Sequence, residues 1–508
     1  MATATSADPA IAGLTPEPVW TYFAGLSKIP RPSKHEQAVM SWLVDFAQTR
    51  GLEHKQDSVG NLVIKRPGSG GGEGAQPVAI QGHVDMVCEK NNDVTHDFYK
   101  DPIRLVREGD WLKADGTTLG ADNGIGVATA LALLDAPKTT RLPPIEALFT
   151  VDEETGLTGA FGIGADLLTA RTMLNLDTED WGEVFIGCAG GGDAKLWLDI
   201  GLGPAPAGAA AYELKLGGLL GGHSGLNIHE GRGNAVQLLA RTLRSLTAAV
   251  PGARVAALSG GDKRNAIARE ARATLLLAPG DVAAAQQVVA ARLSEYVAEY
   301  GTLEKDMFMR LEASPAPAPA TVIEPSGLSR LLALVCTLPH GPLKFSHAVA
   351  GLVETSNNVA SIHPQPASSP SSSPSSPAKY LVVTSTRSSL SPALEAVRDT
   401  IAQAAELAGA AMERGKAYPG WAPNPASRVL QITQACYSEL SGGQQAKVGA
   451  IHAGLECGIL GEKYPGMDTV SFGPTIKGAH SPDERVQIST VEPFWKLTLA
   501  VLDKLARA

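Results

Sequence analysis

Residue types that bind metal ions recur along this chain from His83 to His480, each shortly after an apolar, strand-like run. The run from Pro77 to Gly82 ends in His83-Val84-Asp85, and Leu119-Gly120-Ala121 leads into Asp122-Asn123-Gly124. Ile145 to Val151 leads into Asp152-Glu153-Glu154, Thr172 to Leu176 ends in Asp177, and Val470 to Pro474 precedes His480. Residues so far apart act together only in a fold that gathers distant strand ends at one edge. An α/β sheet does this, because its ligand sites lie at the carboxyl ends of its strands. A His and carboxylate set without Cys suits a hydrolytic zinc or manganese site better than a structural zinc site.

A chain of 508 residues is too long for one ordinary core, and its 44% apolar content allows a packed interior. The net charge is −9, and no long basic tract occurs, which argues against nucleic acid or an anionic membrane as partner. Five cysteines, far apart and without a CxxC pair, read as reduced thiols of a cytoplasmic protein. The stretch Met1 to Thr15 lacks a basic segment followed by an apolar one, so no secretory signal is expected. No apolar run is long enough to cross a bilayer.

The periodicity predicts helices over Glu17 to Ser27 and Glu36 to Gln48, then a strand over Asn61 to Lys65. Gly68 to Gly74 has no following Lys-Ser/Thr, so it reads as a flexible surface linker and not as a phosphate-cradling loop. Val78 to Asp177 alternates strands with helices such as Ile125 to Leu134. After Gly190 the character changes. Alternating segments (Ala211 to Leu216, Arg272 to Leu277) flank helical ones (Asn234 to Leu246, Val282 to Tyr296), which predicts an inserted α+β domain. The expected division is 1–190 for the first part of a catalytic domain, 191–415 for an inserted lid domain, and 416–508 for the return. The Pro- and Ser-rich stretch 364–377 is expected to loop out as disordered chain. A strand over Lys379 to Ser385 and helices over Pro392 to Ala408, Arg428 to Leu440 and Glu492 to Leu505 complete the reading.

His83 and Asp85 are two apart on extended chain, so they emerge on one face, and a metal-bound imidazole needs its other N–H held by a group such as Asp85. Asp122, with two oxygens, can bridge two cations that share a hydroxide. Of Glu153 and Glu154, one can ligate and the other act as general base. Each piece alone has a plain structural alternative. His-x-Asp occurs as surface or capping chemistry, paired glutamates at a helix start are favoured by its dipole, and Asp122 could be an N-cap. The combination, in order and each at a strand end, is more specific. No H-E-x-x-H or G-x-S-x-G occurs.

The residues also carry a family likeness. The matching blocks are Gln81 to Val87, Lys90-Asn91-Asn92, Thr117 to Gly126 and Glu153-Glu154-Thr155-Gly156. Further on come Gly221-Gly222-His223-Ser224-Gly225, Arg264-Asn265-Ala266, Ile451 to Gly458, and Gly473-Pro474 with His480 to Glu484. Through them, over nearly the whole chain, it resembles the aminoacyl-histidine dipeptidases, also called Xaa-His or cytosol nonspecific dipeptidases, in the carnosinase-like group of co-catalytic zinc peptidases. The resemblance implies a mixed-sheet di-zinc peptidase domain with an inserted α+β lid. It implies His83, Asp122, Glu154, Asp177 and His480 as ligands of two divalent ions, zinc or else manganese or cobalt, with Asp122 bridging and the Asp122–Asn123 bond cis. It implies Glu153 as general base, Asp85 behind His83, and His223 as donor to the oxyanion. Asn265, Asn358 and Arg387 become candidate holders of the substrate carboxylate, and Glu456 a candidate for its amine. Dipeptides, Xaa-His among them, are the expected partners, and a homodimer is compatible. An N-acyl amino acid amidase on the same scaffold, or a catalytically silent binding protein, are the rival readings.

Overall fold

The computed structural model describes residues 8–365 and 378–507. The chain divides into two compact units. One comprises the residues up to Cys188, Trp421–Ala450 and those from Leu455 onward; the other comprises Ala189–Gly420 with Ile451–Gly454.

The first unit is built on an eight-stranded sheet. Its strands are β1 (Glu53–Gln56), β2 (Leu62–Arg66), β3 (Val78–His83), β4 (Ile145–Thr150), β5 (Thr172–Asn175), β6 (Glu183–Cys188), β7 (Lys447–Ile451) and β8 (Asp468–Ser471). The spatial order is β1-β2-β4-β3-β5-β8-β6-β7. The inner strands β4, β3, β5 and β8 run parallel, while β1, β2 and β6 pair antiparallel with their neighbours. Parallel strands are covered on both faces, which explains why β3 and β4 are buried along their whole length and read as unbroken apolar runs. Register puts His83 beside Thr150 and Gln81 beside Asn175, so β3 and β4 finish level and β5 stops two residues short of them, which leaves Leu176 and Asp177 to reach the same edge. Helix α1 (Ala121–Leu134), rich in Ala and Leu, is buried at every residue, and Glu17–Leu26 packs against it.

Two expectations for this unit are corrected. Leu119-Gly120-Ala121 is no strand: Gly120 takes φ 69° and turns the chain straight into α1, so Asp122 sits on a helix entry. The Gly68 to Gly74 segment is not a free linker. Ser69 and Leu142 exchange both backbone hydrogen bonds, and a Cβ on Gly72 would lie 2.3 Å from the Leu142 carbonyl oxygen.

The second unit is a nine-stranded antiparallel sheet. Its longest strands, Val353–Gln365, Ala378–Ser388 and Gly190–Ile200, lie side by side. Along the last of these, Ala194, Leu196, Leu198 and Ile200 enter the core while Lys195 and Asp199 are exposed, the alternation of a sheet with one covered face. The cover includes helices Ala235–Ala249, Pro325–Thr337 and Ser391–Ala408. Asn234 caps the first by accepting from the N–H groups of Val236 and Gln237. The expectation of disorder from residue 364 is corrected at its edge, since Pro364 and Gln365 pair with Tyr380 and Lys379. The remainder, 366–377, lies outside the described residues. Among the described residues no helix is long and apolar enough to cross a membrane.

Candidate metal centre

The ligand-type side chains meet at the carboxyl edge of the first unit's sheet. His83 is the last residue of β3, Glu153 and Glu154 follow β4, Asp177 follows β5, and His480 lies in the turn between the short strands Ile476–Lys477 and Arg485–Gln487. Asp122 comes from the entry to α1, where the Asp122–Asn123 peptide is cis. Its two carboxylate oxygens face different imidazoles: Oδ1 lies 3.0 Å from His83 Nε2, and Oδ2 lies 3.2 Å from His480 Nε2. Asp177 Oδ1 is 3.4 Å from His83 Nε2, and Glu154 Oε2 is 3.1 Å from His480 Nε2. The donors thus sort into two triads, His83/Asp122/Asp177 and His480/Asp122/Glu154, which share Asp122 and each hold their donor atoms within 4.8 Å of one another.

The residues fit divalent cations on chemical grounds. The Asp122, Glu154 and Asp177 side chains are only 11%, 4% and 7% exposed, and crowding so many carboxylates out of water is costly without a positive partner. Glu154 Oε1 and Asp177 Oδ1 are buried with no hydrogen-bond partner. Hydrogen bonds to the carboxylates of Asp122 and Glu154 push His480 up to about 11. Burial opposes ionisation of Asp122, but His480 and His83 outweigh it and hold that carboxyl below its ordinary value. Burial drives Glu153 well above the usual range; His83 opposes this, while Asp177, Glu154 and Glu456 add to it.

Asp85 lies behind His83, with Oδ1 3.4 Å from Nδ1. It also accepts from the N–H groups of Glu153 (3.1 Å) and Glu154 (3.2 Å) and from Ser33 Oγ (2.7 Å). One carboxylate therefore orients the imidazole and fixes the turn that carries the two glutamates. Asn123 donates to the Leu176 carbonyl at 2.7 Å, which ties the Asp122 turn to the end of β5. Gly82 and Gly126 make room for it, since a Cβ on either would lie 2.3 or 2.4 Å from Asn123 Oδ1.

Glu456, a candidate for the substrate amine, lies among buried polar groups, and its Oε1 has no hydrogen-bond partner. It has no exposed surface, and its Oε2 accepts from Gln81 Nε2 and Thr150 Oγ1, both at 2.6 Å. Gln81 in turn accepts from Asn175 at 2.5 Å, so a buried polar layer under the candidate ligands joins β3, β4, β5 and the first turn of helix α2 (Glu456–Lys463). Burial pushes Glu456 up to about 7. This layer was not foreseen, although polar Gln81 and Asn175 inside apolar strands were its visible signal. Glu179, also not foreseen, is half-buried, and burial followed by Asp122 and Asp177 pushes it up to about 8.

The second unit holds the other candidates. His223 Nδ1 accepts from the N–H groups of Gly225 and Leu226, which assigns the proton of the neutral ring to Nε2. The carbonyl of Asn265 accepts from the Ser224 N–H at 2.8 Å, and Asn358 Nδ2 donates to the carbonyls of Arg264 and Ala266, so His223, Asn265 and Asn358 belong to one cluster. Arg387 stands opposite Ser356, whose hydroxyl is 2.7 Å from His452 Nε2. Arg387 Nε and Asn358 Oδ1 are buried without a hydrogen-bond partner.

Comparison with known proteins decides the family. Residues 79–504 match the model of peptidase family M20/M25/M40. The chain belongs to this family. It is 39% identical over 492 residues to a cytosol non-specific dipeptidase of Escherichia coli, covering 97% of this chain and 98% of the relative. Its structure matches the crystal structure of an aminoacylhistidine dipeptidase from Vibrio alginolyticus with TM-score 0.87 and 41% identity, covering 97% of this chain and 98% of that one. An aminopeptidase of Bacillus cereus, 15% identical with TM-score 0.59 over 97% of this chain, shares the fold. The resemblance to the dipeptidase subgroup read from the motifs is therefore upheld, and the protein is a peptide hydrolase of this M20 family.

Proposed function

We propose that this M20 peptidase hydrolyses free dipeptides, Xaa-His among them, in the cytoplasm, with two divalent cations held by His83, Asp122 and Asp177 on one side and by His480, Asp122 and Glu154 on the other. The observation that carries the reading is the single Asp122 carboxylate facing two imidazoles at 3.0 and 3.2 Å. The N/O donor set accepts zinc, manganese or cobalt, and zinc is our first choice. Cations bound there supply Lewis acidity toward the peptide carbonyl and lower the pKa of water. Glu153 takes the proton from the attacking water and returns it to the leaving amine, a role supported by its carboxylate standing within 4.8 Å of donor atoms of His83 and Glu154. Asp85 keeps His83 in the tautomer that presents Nε2 to the site. His223, with its proton on Nε2, donates to the oxygen that becomes negative as the carbon turns tetrahedral. Arg387, Asn265 and Asn358 hold the substrate's terminal carboxylate, Arg387 through its planar fork. The names of the Escherichia coli and Vibrio relatives support a dipeptide substrate, and the former also supports the cytoplasm.

The deciding assay is hydrolysis of carnosine and Gly-His by the purified protein, untreated, after chelation, and after return of zinc. Activity that disappears and returns is expected. A protein that leaves both dipeptides intact but cleaves N-acyl amino acids would replace this reading with an amidase.

A further inference from the structure

We propose that Arg31 and Glu484 are positioning residues that set the bridging carboxylate of Asp122 against the two histidines, an inference that rests on the dimetal reading above. Arg31 is 2% exposed, yet no carboxylate pairs with it by hydrogen bond among the described residues. Its two terminal nitrogens donate to backbone, while Nε is buried without a hydrogen-bond partner. Nη1 donates to the carbonyls of Val84 (2.9 Å) and Asp85 (3.0 Å), and Nη2 donates to that of Gly120 (2.5 Å). The first two carbonyls belong to the chain leaving β3, directly after His83. The third belongs to the turn that delivers Asp122. A side chain at Gly120 would meet Nη2 at 2.4 Å, so the close approach requires glycine there.

Glu484 holds the same turn through its N–H groups. It is 2% exposed, and its Oε2 accepts from Leu119 N (2.7 Å) and Gly120 N (2.8 Å), while Oε1 accepts from Asp122 N (3.1 Å). Glu484 lies four residues beyond His480, so this carboxylate fastens the His480 segment to the Asp122 turn. Together the two side chains register three ligand-bearing segments against one another without touching a ligand side chain through a hydrogen bond. The residue types suit the task. A planar guanidinium presents several fixed donors to carbonyls in different directions, and a carboxylate has lone pairs enough for three N–H groups. Burying both ions is poor value for stability alone, since apolar packing does at least as well. Their place around the Asp122 turn is explained if geometry is what they supply.

The test uses Arg31→Lys, which keeps the charge but loses the fork, and Glu484→Gln, which keeps the shape but loses acceptors. Full-length wild type and both variants are stripped of metal, checked by near-UV circular dichroism, and titrated with zinc against a chromophoric chelator. The expected result is a wild-type spectrum without metal, zinc affinity about 10–100-fold weaker for both ions, and a kcat for Gly-His that recovers at high zinc while KM stays within about twofold. Folded variants that bind two zinc ions as tightly as wild type would overturn the inference alone. Loss of the native spectrum in both variants would also overturn it, since the pair would then be a determinant of folding; if only one is lost, the other carries the test. Wild-type protein that takes up no zinc would overturn the dimetal reading and this inference with it.

Discussion

Replacing Glu456 by glutamine should change how the metal-free protein responds to pH. The carboxyl has no exposed surface, accepts two hydrogen bonds at 2.6 Å, and is pushed by burial to about 7 from an ordinary 4.5. The sign follows from linkage. A group that holds its proton more tightly when folded contributes stability that is fully present below its unfolded pKa and is lost as pH rises through the folded one. The difference amounts to about 3 kcal/mol over the whole window, of which about 2.5 kcal/mol falls between pH 5 and pH 8. The Glu456→Gln variant keeps an oxygen for Gln81 and Thr150 and has no proton to lose there, so it should gain on wild type by that amount as pH rises. Urea unfolding of both proteins in chelator at several pH values, followed by circular dichroism, measures the difference directly. A difference that stays flat from pH 5 to pH 8 would refute the argument that burial holds the proton on this carboxyl.

Three further outcomes are expected. Glu153→Gln should retain two zinc ions by elemental analysis and lose about 10²–10⁴-fold in turnover of Gly-His. His223→Ala should lower kcat by about 10²–10³-fold with metal content unchanged, and near-wild-type turnover would remove His223 from the chemistry. Gly126→Ala places a methyl 2.4 Å from Asn123 Oδ1 and 2.8 Å from the Leu176 carbonyl oxygen. It should cost about 1–3 kcal/mol in stability and weaken zinc binding, both measurable on one preparation.

The parts of the centre that follow from short-range pattern were legible in the sequence. β3, β4 and β5 announced themselves as apolar runs because inner parallel strands are buried on both faces, and His83, Glu153, Glu154 and Asp177 stand where those runs stop. The Asp122 entry was misread because Leu119-Gly120-Ala121 is as apolar as a strand, and only the left-handed Gly120 distinguishes it. The hydrogen bond between Glu456 and Gln81 was not legible because the two lie 375 residues apart, a distance no local pattern spans. The same holds for Arg31, whose partners are backbone carbonyls and leave no mark in residue type. The glycine-rich loop looked mobile for a related reason, since what pins it is the backbone at Leu142.

The position of β8 bears on when the enzyme can come alive. This strand, Asp468–Ser471, is wedged between β5 and β6, which leave the ribosome nearly three hundred residues earlier, on the order of half a minute of translation. Until it emerges, β5 and β6 have no strand between them and His480 does not yet exist to face Asp122. On the dimetal reading, a nascent chain or a fragment ending before that point lacks one triad's imidazole, and the capacity to cut peptides arrives only with this late insertion.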